Sequence, residues 1–205
     1  MDYHQKMYWE NVYSNPTLKF PEYDGWLDKY IDILYPAKVI LDLGCGNGVD
    51  TVFLASKGIN TIACDFSENA LKQLKTIINN ANIFQLDLTE PLPFEDNYAD
   101  IVIMDLSLHY FSISDTRSIV NEVFRVLKKD GSLLCRVNSV NEYIEKKDDI
   151  KLEENYYLTS NNKKRFFTVN SLSSLFSEYN IIHCEEYTSK KYREKKYLIE
   201  IEVKK

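Results

Sequence analysis

The sequence predicts a doubly wound α/β sheet. Strand and helix patterns alternate from Val39 to Val137, an apolar β-branched run empties into three alternating glycines, and two more strand patterns close the chain. Strands joined through helices run parallel, with helices on both faces of the sheet. At 205 residues one domain is expected, long enough for a substantial core.

Composition narrows the function classes. Hydrophobic residues make up 44% and charged residues 27%, ordinary for a globular protein. No apolar run approaches the roughly 20 residues that span a bilayer, and the start lacks a signal-peptide pattern, so the expectation is a cytoplasmic protein without a membrane partner. Cys45, Cys64, Cys135 and Cys184 stand singly with no C-x-x-C, which reads as reduced thiols rather than disulfides or a metal site. A net charge of −6 argues against a nucleic-acid partner, whose phosphates need a basic face.

The first 21 residues are polar and aromatic. Trp9 and Tyr13, four apart, share one face of a helix that either packs on the domain's edge or covers a site. Asp24 stands where it can cap a second helix, with Trp26, Leu27, Tyr30, Ile31 and Leu34 as its buried stripe. Val39 to Leu43 then reads as a strand buried on both faces, running into Gly44-Cys45-Gly46-Asn47-Gly48. Val49, Val52, Phe53 and Ser56 follow at helical spacing, so the glycines form a strand-to-helix turn. Such a turn brings backbone N–H groups close to a ligand. It is neither the dinucleotide fingerprint, since Val49 holds the place of the last glycine, nor a P-loop, since no Gly-Lys-Ser/Thr follows. Asp42 before the turn would repel a pyrophosphate and suits a positive ligand end.

Asn60 to Asp65 is the second parallel strand, and Asp65 lies 23 residues beyond Asp42. At that strand end it can cap the next helix or accept two ribose hydroxyls. Ser67 caps a helix with Ala70, Leu71, Leu74, Ile77 and Ile78 as its stripe. Asn82 to Leu86 is a short third strand leading to Asp87 and Leu88, where Asp87 can cap a turn or meet a base edge. Ala99 to Asp105 is the fourth strand, and its end, Asp105-Leu106-Ser107-Leu108-His109-Tyr110-Phe111, belongs beside the glycine turn. His109 either packs on the following helix or faces a substrate as a proton acceptor. Asp115 can cap that helix, which buries Ile119, Val120, Val123, Phe124 and Leu127 and carries Lys128 and Lys129 in its last turn. Gly131 then turns into a fifth strand, Ser132 to Asn138. Residues 140–166 hold a charge run, Glu145 to Asp149, read as solvated. Tyr156, Tyr157, Arg165 and Phe166 either wall a pocket or simply pack. Thr168 or Asn170 caps a helix, Ile181 to Cys184 is a strand, and His183 is read as structural. The strict alternation of Tyr197 to Val203 leaves one face of the last strand for solvent or a partner.

The acid-x-Gly-x-Gly-x-Gly pattern of Asp42 to Gly48 resembles the first motif of the class I S-adenosylmethionine-dependent methyltransferases. The likeness continues through Leu92-Pro93-Phe94…Ala99-Asp100-Ile101-Val102 and Glu122 to Gly131. It implies a mostly parallel seven-stranded sheet with the last strand antiparallel, and a cofactor held by Asp42, Gly44, Cys45, Gly46, Asp65, Phe66, Asp87, Leu88, Asp105 and Leu106. Asp42 would meet the ammonium, Asp65 the ribose, Phe66 the adenine face, and Asp87 with the next N–H the base edge. The Tyr-Trp…Tyr start resembles the family's lid, placing Trp9 and Tyr13 with His109 and Tyr110 against a small-molecule acceptor. The corresponding division is 1–36 helical lid, 37–138 cofactor core, 139–167 insertion shaping the acceptor pocket, and 168–205 closing helix and strands. No proline occurs in 105–111, unlike enzymes of this fold that methylate DNA bases. An aminopropyl transferase, a protein-lysine methyltransferase and a non-catalytic cofactor sensor remain as rivals.

Overall fold

A computed structural model describes residues 3–15, 20, 22–144, 146–159, 162–189 and 195–205. Parts of the expected lid (Met1, Asp2, 16–19 and Pro21) and Glu145 of the charge run lie outside them. In chain order the elements are α1 (Tyr3–Ser14), α2 (Ile31–Leu34) after a 3₁₀ turn, β1 (Ile40–Leu43), α3 (Val49–Ser56), β2 (Ile62–Asp65), α4 (Glu68–Ile77), β3 (Asn82–Gln85) and β4 (Ala99–Asp105). They continue with α5 (Ile113–Val126), β5 (Leu127–Asn138), β6 (Ile150–Glu153), β7 (Tyr156–Leu158), β8 (Lys163–Arg165), α6 (Val169–Leu175), β9 (Asn180–Ser189) and β10 (Lys196–Lys204).

Seven strands form one sheet in the order β3-β2-β1-β4-β5-β10-β9. β3 to β5 are parallel to one another, and β10 runs antiparallel between β5 and β9. Alternation along the central strands sorts the core by face. Leu41, Leu43, Val102, Met104, Leu133, Cys135 and Val137 pack with Ile119, Val123 and Phe124 of α5 and Leu172 of α6. Ile40, Ile101, Ile103 and Leu134 pack on the opposite face with Leu54 of α3 and with Trp26, Leu27, Tyr30 and Leu34. The sheet is therefore sandwiched, and its free chemistry lies at the strand tips. No helix among the described residues is long and apolar enough to cross a membrane.

Several local expectations are corrected. Asp24 caps nothing: Gly25 (φ +82°) breaks the chain there, only short helical turns follow, and the carboxylate pairs with Arg136 instead. α5 is capped by Ser112, whose Oγ accepts from the Asp115 N–H, so Asp115 sits in the first turn. The helix stops at Val126, and Lys128, Lys129 and Gly131 lie in β5, where Lys128 reaches Asp100. The α4 stripe buries Ala70, Leu71 and Leu74 but leaves Ile77 exposed. β10 has no open face: Ile199, Ile201 and Val203 pack into the core on one side, Tyr30 and Lys29 cover Glu200 on the other, and Leu198 to Val203 are buried continuously. Its buried Glu200 is held by Tyr30 Oη (2.6 Å) and Lys29 Nζ (2.6 Å), beside His183. The insertion after β5 folds into a second sheet, β6-β7-β8.

Candidate active site

The tips of β1, β2, β4 and β5 surround a cleft of about 390 Å³. Trp9, Tyr13, Asp42, Gly44, Cys45, Gly46, Asp65, Phe66, Leu88, Asp105, Leu106, His109 and Tyr110 line it; Asp87 does not. Asp50, Asn138, Lys164 and Lys196, which sequence reasoning missed, line it as well.

The glycine turn is shaped by close approach. Gly44 (φ +77°) would put a Cβ 2.4 Å from the Ser107 Cβ, at the β4 tip, whose Oγ donates to the Leu43 carbonyl (2.9 Å). Gly46 (φ +54°) would put one 2.3 Å from Tyr13 Oη, so only glycine admits the α1 tyrosine above it. Four of the turn's N–H groups are turned inward rather than toward a ligand. Those of Gly44 and Cys45 donate to the Cys64 carbonyl (2.8 and 3.0 Å), that of Gly46 to Asp65 Oδ2 (2.8 Å), and that of Gly48 to the Cys45 carbonyl (2.9 Å). A phosphate would find these donors spent and carboxylates beside them.

Asp42 is buried on the α3 face, where Thr51 Oγ1 donates to it at 2.7 Å. Asp50, in the first turn of α3, accepts from the Trp26 indole N–H (3.0 Å). Burial pushes the Asp65 carboxyl up to about 6, against the N–H groups of Ser67 and Gly46 that favour its ionised form. Burial and then the Asp42 and Asp65 charges raise the Cys45 and Cys64 thiols, so neither is poised as a nucleophile. Asp87 lies just outside the lining. Burial pulls its carboxyl up, but Lys6 (2.7 Å) and the Thr89 N–H and O–H hold it at about 2.

At the β4 tip, Arg136 of β5, fully buried, grips Asp105 with two bonds (2.6 and 2.7 Å) and Asp24 with a third (2.8 Å), under the Trp26 ring. Burial works against the guanidinium charge, but Asp105 outweighs it and raises its pKa. Leu106 follows in left-handed backbone (φ +55°), an uncommon state for a side-chain-bearing residue beside a cleft. His109, in the 3₁₀ turn Leu108–Tyr110, is 1% exposed with Nδ1 unpartnered. Burial, then Lys164 and Lys196, push its pKa well below the usual range, so the ring is neutral.

α1 crosses the opening. Trp9 meets the Tyr110 ring edge-on (5.0 Å), Gln5 donates to the Tyr110 carbonyl (2.9 Å), and Glu10 accepts from Asn69 (2.7 Å) and the Glu68 N–H (2.9 Å). Tyr156, Tyr157, Arg165 and Phe166 do not line the cleft. Arg165 ties β8 to Glu153 and to the Phe111 carbonyl, Tyr156 donates to the Tyr110 carbonyl, and Tyr143 stacks with Tyr157 and meets Phe166 at a tilt.

Residues 41–135 match a family model described as a methyltransferase domain. That stretch, just under half of the chain, is similar to methyltransferase domains. The chain is 38% identical over 96 residues to the uncharacterized methyltransferase sll0829 of Synechocystis, covering 47% of this chain and 45% of that one. A demethylmenaquinone methyltransferase of Bacillus pumilus is 29% identical over 150 residues, covering 68% and 63%. Against the first two curated relatives it matches, the chain spans about half their length. A methyltransferase structure from Methanosarcina mazei shares the fold, with a TM-score of 0.73, 24% identity, and 82% and 92% of the two chains covered. The expected seven-stranded fold is thus the one this domain has.

Proposed function

We propose that the protein transfers a methyl group from S-adenosylmethionine to a small-molecule acceptor. The observation that carries this is the acid-lined tip of the cleft beside a glycine turn most of whose N–H groups are spent internally. Such a tip suits a ligand with a cationic end and vicinal hydroxyls, not a phosphate. Bound there, the cofactor supplies an electrophilic methyl on a sulfonium. Asp42 receives the ammonium end, Asp65 accepts the ribose hydroxyls, Phe66 covers the adenine face, and the Leu88 backbone meets the base edge. Asp87 would share that edge only by competing with Lys6. Leu106 and the backbone at Asp105 turn the β4 tip toward the reacting centre. Trp9, Tyr13 and Tyr110 exclude water above it, and neutral His109 faces the acceptor. In-line displacement depends mainly on placement, so a strong base is not required.

The acidic chain and the absence of proline in 105–111 favour a small acceptor over nucleic acid, and unpaired thiols suit the cytoplasm. Calorimetry should give a dissociation constant for S-adenosylmethionine in the micromolar range, abolished by Asp42→Ala. Radiolabelled methyl from the cofactor should appear in the small-molecule fraction of an extract. Binding weaker than about 1 mM, or about 4 kcal/mol, would overturn the reading. Label found only in protein would move the acceptor to a macromolecule.

A further inference from the structure

We propose that Lys164, Lys196 and His109 form a subsite for an anionic group, carboxylate or phosphate, on the acceptor. This rests on the methyltransferase reading above and specifies its substrate. The topology assembles the subsite. β10 is antiparallel, so its first residue, Lys196, lies at the same sheet edge as the carboxyl tips of β4 and β5, with Leu198 paired to Asn138. Lys164 comes from the insertion's β8, packed beside the turn that carries His109. Both lysines line the cleft, and both are close enough to His109 to depress its protonation.

The charges call for an anion. Burial, then the Lys196 ammonium, lowers the pKa of Lys164. Of the nearby acids, Asp105 is taken by Arg136, and Glu142, which accepts the Tyr197 N–H (2.8 Å), favours the charged form of Lys164 without forming an ion pair with it. The Lys164 ammonium has no hydrogen bond or ion pair among the described residues. His109 adds a fully buried Nδ1 that has no partner, on the same wall. An anion beside Lys196 would offset the Lys164 charge and accept from the neutral imidazole N–H. A cationic acceptor, such as a lysine side chain, would be repelled. The cleft is thus polarised, with acids at the cofactor tip and cations at the acceptor end.

The test uses the full chain saturated with S-adenosylhomocysteine at fixed ionic strength. Inorganic phosphate and acetate are titrated separately, and the His109 ring signals are followed by NMR. A saturable shift is expected, and the anion that binds tighter tells phosphate from carboxylate. Lys164→Gln and Lys196→Gln should each weaken it about tenfold or more, the size of one buried charge-assisted contact. Lys164→Arg should retain it, and all three variants should bind S-adenosylhomocysteine as the parent does. No saturable shift with either anion, or a shift that both Gln variants leave unchanged, overturns the subsite while leaving the methyltransferase reading intact. A parent chain that fails to bind S-adenosylhomocysteine at all brings down the underlying reading, and the subsite with it.

Discussion

Replacing Arg136 by methionine tests how the β4 tip is neutralised. The side chain is 0% exposed and holds two buried carboxylates, Asp105 and Asp24, with charge-assisted bonds of 2.6 to 2.8 Å. Methionine keeps much of the volume and the contact with Trp26 but removes the charge. Breaking one side of a buried ion pair costs about 3–5 kcal/mol, because the partner stays buried without compensation. For a chain of 205 residues each kcal/mol shifts Tm by roughly 2–4 °C, so Arg136→Met should melt about 10 °C lower. The deficit should depend on pH. Stranded in the folded state, the two carboxyls would have pKa values raised above their unfolded ones, so the fold binds protons more tightly and the deficit shrinks as pH falls from 8 toward the carboxylate range. Urea unfolding followed by tryptophan fluorescence measures both effects. Adding Asp24→Asn and Asp105→Asn should recover most of the loss. A loss below about 1 kcal/mol, the same at every pH, would refute the argument that this pair neutralises a buried tip.

Three other outcomes are expected. Gly46→Ala places a side chain in left-handed backbone at a cost of about 1–2 kcal/mol and displaces Tyr13, so trypsin should cut at Lys6 faster; an unchanged cleavage rate and urea midpoint would contradict this. Asp65, held at about 6, binds protons more tightly folded than unfolded, so its contribution makes stability fall by about 2 kcal/mol as pH rises from 4 to 6. Asp65→Asn should flatten that slope in urea titrations, and in the parent, cofactor affinity by calorimetry should rise with pH across 6. The His109 ring should stay neutral from pH 8 to 5.5, without a titration of its NMR shifts, as its burial beside two lysines requires.

The strand cores were legible because burial on both faces leaves a continuous apolar run, as in Ile40 to Leu43 and Ile101 to Met104. Asp42 and Asp65 were legible because parallel neighbours put both strand ends at one edge. β10 misled because alternation normally means one wet face, whereas Glu200 lies buried with Tyr30 and Lys29 brought from far away in the chain. Arg136 was hidden for the same reason: its partners Asp24 and Asp105 are distant in sequence. A signal for Lys196 did exist. Placing the last strand antiparallel already sends its first residues, Lys195 and Lys196, toward the strand tips. Lys164 depended on the insertion's own sheet, which no pattern in 140–166 announced.

The attachment of α1 has a consequence of its own. Its one buried residue is Gln5, and it is fastened by Lys6 to Asp87, Glu10 to Asn69, Gln73 to the Tyr13 carbonyl, and the Trp9–Tyr110 ring contact. Water can satisfy nearly all of the polar groups among these, so lifting the helix leaves few of them unpaired. The door and the wall are therefore separate problems for selection. On the proposed reading of α1 as a cover, changes in it alter how often the cleft opens while the sheet beneath keeps its strength.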